Sequence, residues 1–432
     1  MAISQLYPNS RPTLNLNFAR SKTLDPRITF TRNSTATYVG SDGLIQTAAA
    51  SEARFDHDGT GKCQGLLIEE ARTNFFTYSV NLSQQWGTER ASITSNTTVA
   101  PDGTTTATTA TEDTSNNSHL VSGYPHVPQN GSGTHTFSVF AKAKERSVIA
   151  LSTNESTGAH AVATFDLQAG VISQSGDDPS KPTVDYVGSS IVDVGNGWYR
   201  CSLTYASTNN VWPVIGIANT PTYSYTNYGR CNYQGDGTSG IYIWGVQMER
   251  FSSFPTSYIP TSGSTSTRVA DVCEITGTNF SSWYNQSETT LVIHQSINKT
   301  GSSNHDPWRL YGSGSLRGQV GYGVPNSGLI YMDVWPTFTG YLSGYSAGNN
   351  WQVGQQNKAA FSWYIPPASN PLTAQTEASG SLNGQSPVTA NNMAPIGNRT
   401  SFRPLSSNSG TIEYISFYST RLTDSQLQEL TS

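Results

Sequence analysis

Two glycine-bounded runs of β-branched and aromatic residues most constrain the fold of this chain. GIYIWGVQM occupies residues 240–248, and GTIEYISFYS occupies residues 410–419. Residues of these types favour pleated, half-buried strands, and each run has the length of a strand that closes a sheet. We therefore predict two β-sandwiches in series.

The composition supports an all-β, globular chain. Only 12% of the residues are charged, and 39 glycines accompany many Ser, Thr and Asn residues, which argues against a helical protein. The 22 Tyr, 15 Phe and 9 Trp residues supply enough apolar area for cores, which argues against disorder. The net charge of −5 offers no basic stripe for nucleic acid, and no apolar stretch reaches the roughly 18 residues of a membrane helix. We therefore expect neither nucleic-acid binding nor membrane insertion.

Neither the cysteines nor the acidic residues predict a metal or cofactor site. The cysteines form no CxxC pair, and no His lies beside them at zinc-finger spacing. A disulfide between Cys201 and Cys231 stays open, although free, buried thiols at these positions and at Cys63 and Cys273 are favoured. Asp177 and Asp178 could belong to a calcium loop, but a solvated turn is favoured. We predict no metal ligands and no cofactor.

Residues 1–75 are predicted to form a hairpin-rich N-terminal attachment unit. The Leu and Phe residues of LNLNF (14–18) alternate onto one face, as in a strand. Asp42-Gly43 between two β-prone runs indicates a hairpin. Because the unit is too small to bury a large core alone, we expect it to pack on the next domain, on a symmetry mate or on a larger assembly.

Residues 76–268 are predicted to form a jelly-roll domain. Strand-like runs such as HTFSVFAKA and GWYRCSLTYA are separated by Gly, Asn, Asp and Ser clusters, at the density of a sandwich or jelly roll. Pro255 and Pro260 then precede a Ser/Thr run. Since proline stops ladder pairing and the Ser/Thr run offers no core, we predict a linker there.

Residues 269–432 are predicted to form a second sandwich with one short C-terminal helix. TTLVIHQSI and KAAFSWYI are strand-like, and GTIEYISFYS closes the sandwich. Thr423 can cap the helix, and Gln426 three residues later completes a capping box. Leu427 and Leu430 then share the buried face.

The motifs that usually carry catalysis give no signal. GDGTSG (235–240) matches the dinucleotide fingerprint, but a strand follows it where a helix is required, so we predict a turn. Glu69 and Glu70 are adjacent, so on a strand they point to opposite faces and cannot form a glycosidase pair. We predict salt links from them to Arg72 or Arg54. No HExxH occurs, and we predict no catalytic residues and no enzymatic activity.

Two polar loops rich in aromatic residues are the candidate binding sites. Sugars present apolar CH faces that stack on aromatic rings, and hydroxyls that bond to Asn, Asp or Arg. Alternatively, these rings fill a core or an oligomer interface, where Tyr and Trp are also enriched. Trp86, Trp198 and Trp244 lie in or beside strand-like runs and are assigned to the core. The glycan-binding candidates are Tyr223, Tyr225, Tyr228 and Tyr233 in the first loop and Trp335, Tyr341, Tyr345 and Trp351 in the second.

Most of the chain resembles bacteriophage structural proteins. ITFTRNSTATYVGSDGLIQTAAASEARFDHD and GLLIEEARTNFFTYS resemble a segment common in phage tail and virion proteins. GIYIWGVQMERFSSFPTSYIPTSGSTSTRVAD resembles the end of the carbohydrate-binding-like jelly roll that follows it in those proteins. The third unit is similar to a concanavalin A-like or laminin G-like sandwich, through IGNR and the closing IEYISFYSTRLTDSQLQEL.

The resemblance implies a non-enzymatic tail fibre or adhesin, assembled in the host cytoplasm with other virion proteins and carried on the virion. Its partner would be a host cell-surface glycan. The N-terminal residues lack the basic and apolar regions of a secretory signal, which fits proteins released by lysis. Because a single sugar site is weak and three copies gain avidity, we expect a homotrimer.

Two other functions remain open. One is a purely structural virion protein, such as a capsid decoration, head fibre or tail connector, whose aromatic residues would anchor interfaces. The other, less favoured, is a glycan-degrading enzyme, which would need convergent carboxylates in a cleft or a Tyr/His/Arg group.

Overall fold

The computed structural model of the chain describes residues 8–84, 86–122, 133–222, 228–298, 305–312, 314–323, 327–335, 351–365, 376–393, 398–405 and 409–432. Strands make up most of the regular structure in these ranges, and the helices are short. The predicted all-β fold is confirmed.

The elements fall into three groups along the chain. The N-terminal elements are β1 (Leu14–Asn17), α1 (Phe18–Ser21), β2 (Thr29–Thr31), β3 (Ala36–Val39), β4 (Ile45–Ala48), β5 (Arg54–His57), β6 (Cys63–Ile68) and β7 (Arg72–Asn74). The central elements are a 3-10 turn (Leu82–Gln84), β8 (Gly87–Glu89), β9 (Ala91–Thr98), β10 (Ala107–Glu112), β11 (Asn116–Asn117), β12 (His119–Ser122), β13 (Gly133–Ala143), β14 (Val148–Asn154), β15 (Ala161–Asp166), β16 (Val171–Asp177), β17 (Val184–Asp193), β18 (Trp198–Ser207), β19 (Trp212–Ala218), β20 (Tyr233–Gln234), β21 (Gly240–Arg250) and β22 (Ser266–Arg268). The C-terminal elements are β23 (Val272–Thr276), α2 (Gly277–Ser281), β24 (Glu288–Gln295), β25 (His305–Gly312), β26 (Gly314–Gly323), β27 (Ser327–Trp335), β28 (Asn357–Tyr364), β29 (Thr376–Leu382), β30 (Val388–Met393), β31 (Arg399–Pro404), β32 (Gly410–Tyr418) and α3 (Asp424–Thr431).

The C-terminal sandwich packs an eight-stranded sheet against a six-stranded sheet. The first sheet has the order β30-β29-β28-β24-β32-β6-β5, with β1 also paired to β32, and the second has the order β2-β23-β31-β25-β26-β27. Both sheets contribute to one apolar core. In that core, the Trp308 ring of β25 lies 5.4 Å from Phe361 and 6.2 Å from Trp363 of β28, centroid to centroid. These contacts across the layers hold the two sheets together.

The strands of the predicted N-terminal unit belong to this same sandwich. β1 pairs antiparallel with β32, with Leu14 opposite Phe417. β6 pairs with the other end of β32, β5 pairs with β6, and β2 pairs with β23. Leu14 and Leu16 are buried while Asn15 and Asn17 are exposed, as the alternation predicts. The sheet order therefore corrects the boundary at residue 75, because these strands complete the hydrogen bonding of β32, which would otherwise be an open edge.

The central sandwich contains two six-stranded antiparallel sheets. Their orders are β17-β18-β13-β21-β10-β9 and β16-β15-β14-β19-β12-β8, and one apolar core lies between them. Phe76 joins this core, with its ring centroid 5.0 Å from Trp86 and 5.9 Å from Phe137. Trp86, Trp198 and Trp244 are all buried, as predicted.

The segment predicted to be a linker is a packed joint. Tyr258 and Ile259, between Pro255 and Pro260, are buried. Asn74 Nδ2 donates to the Ile259 carbonyl over 2.9 Å, and β22 pairs with β7. The prolines interrupt the strands, as predicted. The apolar side chains between them are nevertheless buried, which the Ser/Thr composition of the segment did not indicate.

The local turn and cap predictions are confirmed. β3 and β4 form the hairpin around Asp42-Gly43, with Val39 opposite Ile45. Gly43 has a φ of 74°, the left-handed conformation that glycine adopts without strain. At α3, Thr423 Oγ1 accepts from the Gln426 amide at 3.4 Å, and Gln426 Oε1 accepts from the Thr423 amide at 3.0 Å.

The turns predicted at GDGTSG and at Asp177-Asp178 are capped by the carboxylates of Asp236 and Asp178. Asp236 Oδ1 in GDGTSG accepts from the amides of Thr238 at 2.8 Å and Ser239 at 2.7 Å. Asp178 Oδ1 accepts from the Ser180 amide at 3.0 Å. Both carboxylates thereby stabilise their own loops.

All four cysteines are free thiols, so the disulfide between Cys201 and Cys231 is not formed. Cys201, Cys231 and Cys273 are buried, and Cys63 is partly exposed.

Candidate functional site

The described residues at both ends of the first aromatic loop lie on the outer face of the central sandwich. Val148 of β14 and Val162 of β15 form an apolar cluster with Cys231 on the face opposite the core. Thr164 Oγ1 of β15 donates to the Pro221 carbonyl over 2.6 Å. The chain on both sides of residues 223–227 is therefore held against this sheet.

Tyr228 is a predicted glycan contact that the structure places at the surface. Its side chain is 40% exposed, and its φ is 55°. Arg230 Cζ lies 5.2 Å and Lys181 Nζ 5.9 Å from the ring centroid. Lys181 Nζ also donates to the Thr157 carbonyl over 2.8 Å. A partly exposed aromatic ring thus has two cationic hydrogen-bond donors over it. Tyr223 and Tyr225 lie outside the described residues.

Tyr233 is buried, which corrects its prediction as a glycan contact. Its hydroxyl donates to Glu112 Oε2 over 2.5 Å, and its ring centroid lies 4.7 Å from that of His119. Burial, then the bond to Glu112, raises the pKa of Tyr233 well above its usual range. β20, which carries it, pairs with β11, so the ring is directed into the protein.

One of the glycan contacts predicted in the second aromatic loop is buried. Trp351 is buried in the core of the C-terminal sandwich, so its ring is not available to a glycan. Trp335 is the last residue of β27; its side chain lies outside the described residues, as do Tyr341 and Tyr345. The glycan prediction for these three residues stays a prediction.

A cavity of about 240 Å³ lies where the N-terminal strands meet the central sandwich. Its lining comes from β3 and β5, from β13, β17 and β18, and from residues 255–258. Aliphatic and aromatic side chains supply much of the wall, and Asp56, His57 and Arg200 supply polar groups. Sites of this kind favour ligands because a few placed polar groups stand in an apolar setting.

Asp56 and His57, consecutive residues of β5, both line the cavity. The register with β6 shifts between them, and Gln64 of β6 is the extra residue of this bulge. Asp56 Oδ1 accepts from the Val39 amide at 2.8 Å. Burial raises the pKa of the Asp56 carboxyl to about 6, and the charge of Glu69 adds to this, although the bond from Val39 opposes it.

His57 carries an unused ring nitrogen. The side chain is 6% exposed, and Nδ1 lies 3.0 Å from the Val39 carbonyl. Because a carbonyl only accepts, Nδ1 carries the hydrogen and Nε2 is left as an acceptor. Nε2 is buried and has no hydrogen-bond partner in the described part of the chain.

Arg200 lies across the cavity from β5, on β18. Its Nη1 donates to the Thr256 carbonyl over 2.5 Å and its Nη2 to Ser138 Oγ over 3.1 Å. Its Cζ lies 5.3 Å from the Phe140 ring centroid. Burial lowers the pKa of Arg200, and the charge of Glu249 opposes that change. Arg200 Nε is buried and unpaired among the described residues.

Glu69 also lines the cavity, and its carboxylate is bound by several partners. Its carboxylate accepts from Arg54 Nη1 at 2.7 Å and from the Ser257 amide at 2.7 Å, and Arg268 Nε lies 3.4 Å away. Burial alone would raise the pKa of Glu69, but the charges of Arg268 and Arg54 and the bonds from Ser257 outweigh burial and lower it to about 2. The predicted salt link of Glu69 to Arg54 is confirmed, and Glu70 pairs with Arg72.

Within the described ranges, no three His, Cys, Asp or Glu side chains are grouped to hold a metal ion. None of the helices in those ranges is long and apolar enough to cross a membrane.

Comparisons with known proteins do not identify a family. No family model matches the chain, and no curated protein matches it. Among solved structures, domains LG4-5 of the mouse laminin alpha1 chain match 72% of this chain and 89% of their own, at 10% identity and a TM-score of 0.21. The sialidase of Trypanosoma rangeli in complex with the inhibitor DANA matches 75% of this chain and 60% of its own, at 13% identity and a TM-score of 0.22. The CBM22 tandem domain of Paenibacillus barcinonensis Xyn10C matches 82% of this chain and 98% of its own, at 8% identity and a TM-score of 0.23. TM-scores this low carry no assignment, so the fold class rests on the sheets of this chain.

Proposed function

We propose that this chain is a non-enzymatic component of a bacteriophage particle, a tail-fibre or adhesin protein that recognises host surface glycans. The recognition surface is the loop around Tyr228 on the outer face of the central sandwich. The observation that carries the proposal is the exposed Tyr228 ring beside Lys181 and Arg230.

The chemistry of that surface suits a sugar. The CH face of a pyranose stacks on an aromatic ring, and the neighbouring ammonium and guanidinium groups donate hydrogen bonds to hydroxyl or carboxylate oxygens. One such site is weak. Three copies on a homotrimeric fibre would bind a polysaccharide far more tightly through effective concentration.

The absence of activity is part of the proposal, and it rests on the state of two buried carboxylates. Glu69 accepts bonds from Arg54 and Ser257, and Glu249 accepts from Gln247 Nε2 at 2.6 Å and from the Thr256 amide at 2.8 Å. Glu69, whose pKa is held at about 2 by Arg268, Arg54 and Ser257, is poorly suited to exchange protons with a substrate. Incubation with host polysaccharide and a reducing-end assay tests this part; release of oligosaccharides would contradict it.

An array of bacterial surface polysaccharides tests the recognition surface, using the full chain in its native oligomeric state. We expect wild-type binding and a loss of about tenfold for Tyr228→Ala, the size of one lost stacking contact. Phe251→Ala is the matched control, because Phe251 is also an exposed aromatic residue, at 62%, with a φ of 53°. Equal losses in the two variants, or no wild-type binding, would contradict the proposal.

A purely structural virion role is the second candidate, and the sheet edges of the central sandwich favour it. β16 and β17 are edge strands of their sheets, and they expose Val171, Ile172, Val187 and Val192. A neighbouring virion chain could cover these valines and isoleucine. Images of the intact particle separate the two functions: a Tyr228 loop facing solvent supports recognition, and one covered by a neighbouring chain supports the structural role.

A further inference from the structure

The junction cavity is a second place on this chain where a ligand could bind, separate from the Tyr228 loop. Its lining combines β5 of the C-terminal sandwich, β17 and β18 of the central sandwich, and the packed joint at residues 255–258. It therefore exists only when both sandwiches are folded and docked.

Three polar groups in the cavity lack a full set of partners. His57 Nε2 is a buried acceptor, and Arg200 Nε is a buried donor, and both are unpaired in the described part of the chain. Asp56 accepts from the Val39 amide and has a backbone hydrogen bond from His57, and a carboxylate can accept more. Buried polar groups are normally paired, so this combination of two acceptors and one donor indicates a missing polar partner.

The charges around the cavity favour a neutral ligand. Asp56, Asp58, Glu69 and Asp193 line it beside Arg200, and Glu69 is paired with Arg54 and Arg268. A cation would meet the Arg200 guanidinium, and an anion would meet the carboxylates. A hydroxyl group suits all three polar groups, since it donates to His57 Nε2 or Asp56 and accepts from Arg200 Nε.

The size and the walls of the cavity favour one small ring. The volume of about 240 Å³ lies below the roughly 300–1,000 Å³ of sites for larger ligands. Phe140 and Tyr258 contribute aromatic rings to the wall, and Val39, Leu67 and Val194 contribute aliphatic groups. Such walls suit the CH faces of a pyranose.

We propose that the junction cavity binds a single neutral sugar ring, with its hydroxyls on Asp56, His57 and Arg200 and its CH faces on the apolar wall. This site is independent of the Tyr228 surface, so either one can exist without the other.

The test measures binding of free methyl pyranosides of glucose, galactose, mannose, rhamnose and N-acetylglucosamine by saturation-transfer NMR on the full chain. We expect at least one of them to bind the wild type. Val192→Phe should weaken it by at least about tenfold, because Val192 lines the cavity, is 53% exposed and can occlude it without disturbing a core. Val187→Phe is the matched control; Val187 lies on the same strand, is 47% exposed and is not part of the lining.

Asp56→Asn supplies a second, nearly isosteric variant. Its amide oxygen can still accept from the Val39 amide, but the remaining NH2 group replaces an acceptor by a donor, so the affinity should fall by at least about fivefold. Tyr228→Ala should leave this binding unchanged, which separates failure of the cavity from failure of the loop. No binding of any of the five sugars, or equal effects of Val192→Phe and Val187→Phe, would overturn the proposal.

Discussion

Arg54 Nη2 lies 2.5 Å from Asp271 Oδ2, and the two residues are 217 positions apart. Arg32 Nη1 donates to the other oxygen of Asp271 over 3.0 Å, and Arg54 Nη1 donates to Glu69. All four side chains are buried. Since a buried charge is tolerated only with partners, this cluster fixes β5 and the chain after β6 against the start of the C-terminal segment.

Asp271→Ala should lower the free energy of unfolding by about 3–5 kcal/mol, because Arg32 and Arg54 would stay buried without their shared carboxylate. Urea unfolding measures the loss. Asp25→Ala is the control, since Asp25 and Arg27 form a partly exposed pair at 2.7 Å whose removal should cost less than about 1 kcal/mol. Similar losses in the two variants would show that the Asp271 cluster does not stabilise the junction.

Asp56→Asn should change how stability depends on pH. Burial raises the pKa of Asp56 to about 6, so between about pH 4 and pH 6 the folded protein holds a proton that the unfolded chain has released. The wild type therefore loses stability as the pH rises through this window, by up to about 3 kcal/mol.

The Asp56→Asn variant has no carboxyl at this position, so its stability should not fall as the pH rises through this window. Urea unfolding midpoints at pH 4 and pH 7 measure the difference. Asp193→Asn, at an exposed residue of the same cavity, serves as the control. Parallel pH profiles for the wild type and the Asp56→Asn variant would contradict a raised pKa of Asp56.

Gly65→Ala should break the pairing of β6 with β32. Gly65 has a φ of 104°, and a Cβ at this position would overlap the Ile412 carbonyl. Gly43→Ala separates the two effects, because Gly43 has a φ of 74° but nothing within 4 Å of an added Cβ. Gly43→Ala should lower the free energy of unfolding by about 1–2 kcal/mol, from left-handed strain alone. Gly65→Ala should lower it by clearly more. Thermal unfolding measures the stability of the two variants. Equal losses of stability would show that the added Cβ at residue 65 does not clash with the Ile412 carbonyl.

One of the four thiols should react quickly with a thiol reagent at neutral pH. Burial raises the pKa of Cys231 to about 11 and of Cys273 to about 12, and raises that of Cys201 further. Burial raises the pKa of Cys63 as well, but Cys63 is partly exposed, so it is the most accessible nucleophile of the four. Cys63→Ser should abolish the fast phase, and the other three thiols should react only after unfolding; a second fast thiol would contradict their burial.

Short-range features of the sequence predicted local structure well. The alternation around Leu14 and Leu16, the Asp42-Gly43 turn and the Thr423 cap each depend on neighbours within a few positions. The partner of β1 could not be predicted in this way, because its hydrogen bonds go to β32. Nothing near Leu14 specifies Phe417, and only the register of the folded sheet brings them together.

The candidate site was less accessible to sequence reasoning. Tyr233 and Trp351 lie in polar segments, yet pairing of β20 and packing in the C-terminal core bury them. The run Asp56-His57-Asp58 was a signal that titratable residues cluster, but an ideal strand would send neighbours to opposite faces. Asp56 and His57 nevertheless both line the cavity, where β5 pairs with a bulged β6, and Arg200 comes from the other sandwich.

The pairing of β1 with β32 also sets an order for folding on the ribosome. Thr13 and Phe417 touch across 404 positions, so at about 5–20 residues per second the first strand leaves the exit tunnel roughly 20–80 s before its neighbour is made. The central sandwich is contiguous in the chain and can close during that interval. Newly made N-terminal strands therefore wait with unsatisfied edges, and this is the stage of synthesis at which aggregation is the greatest hazard.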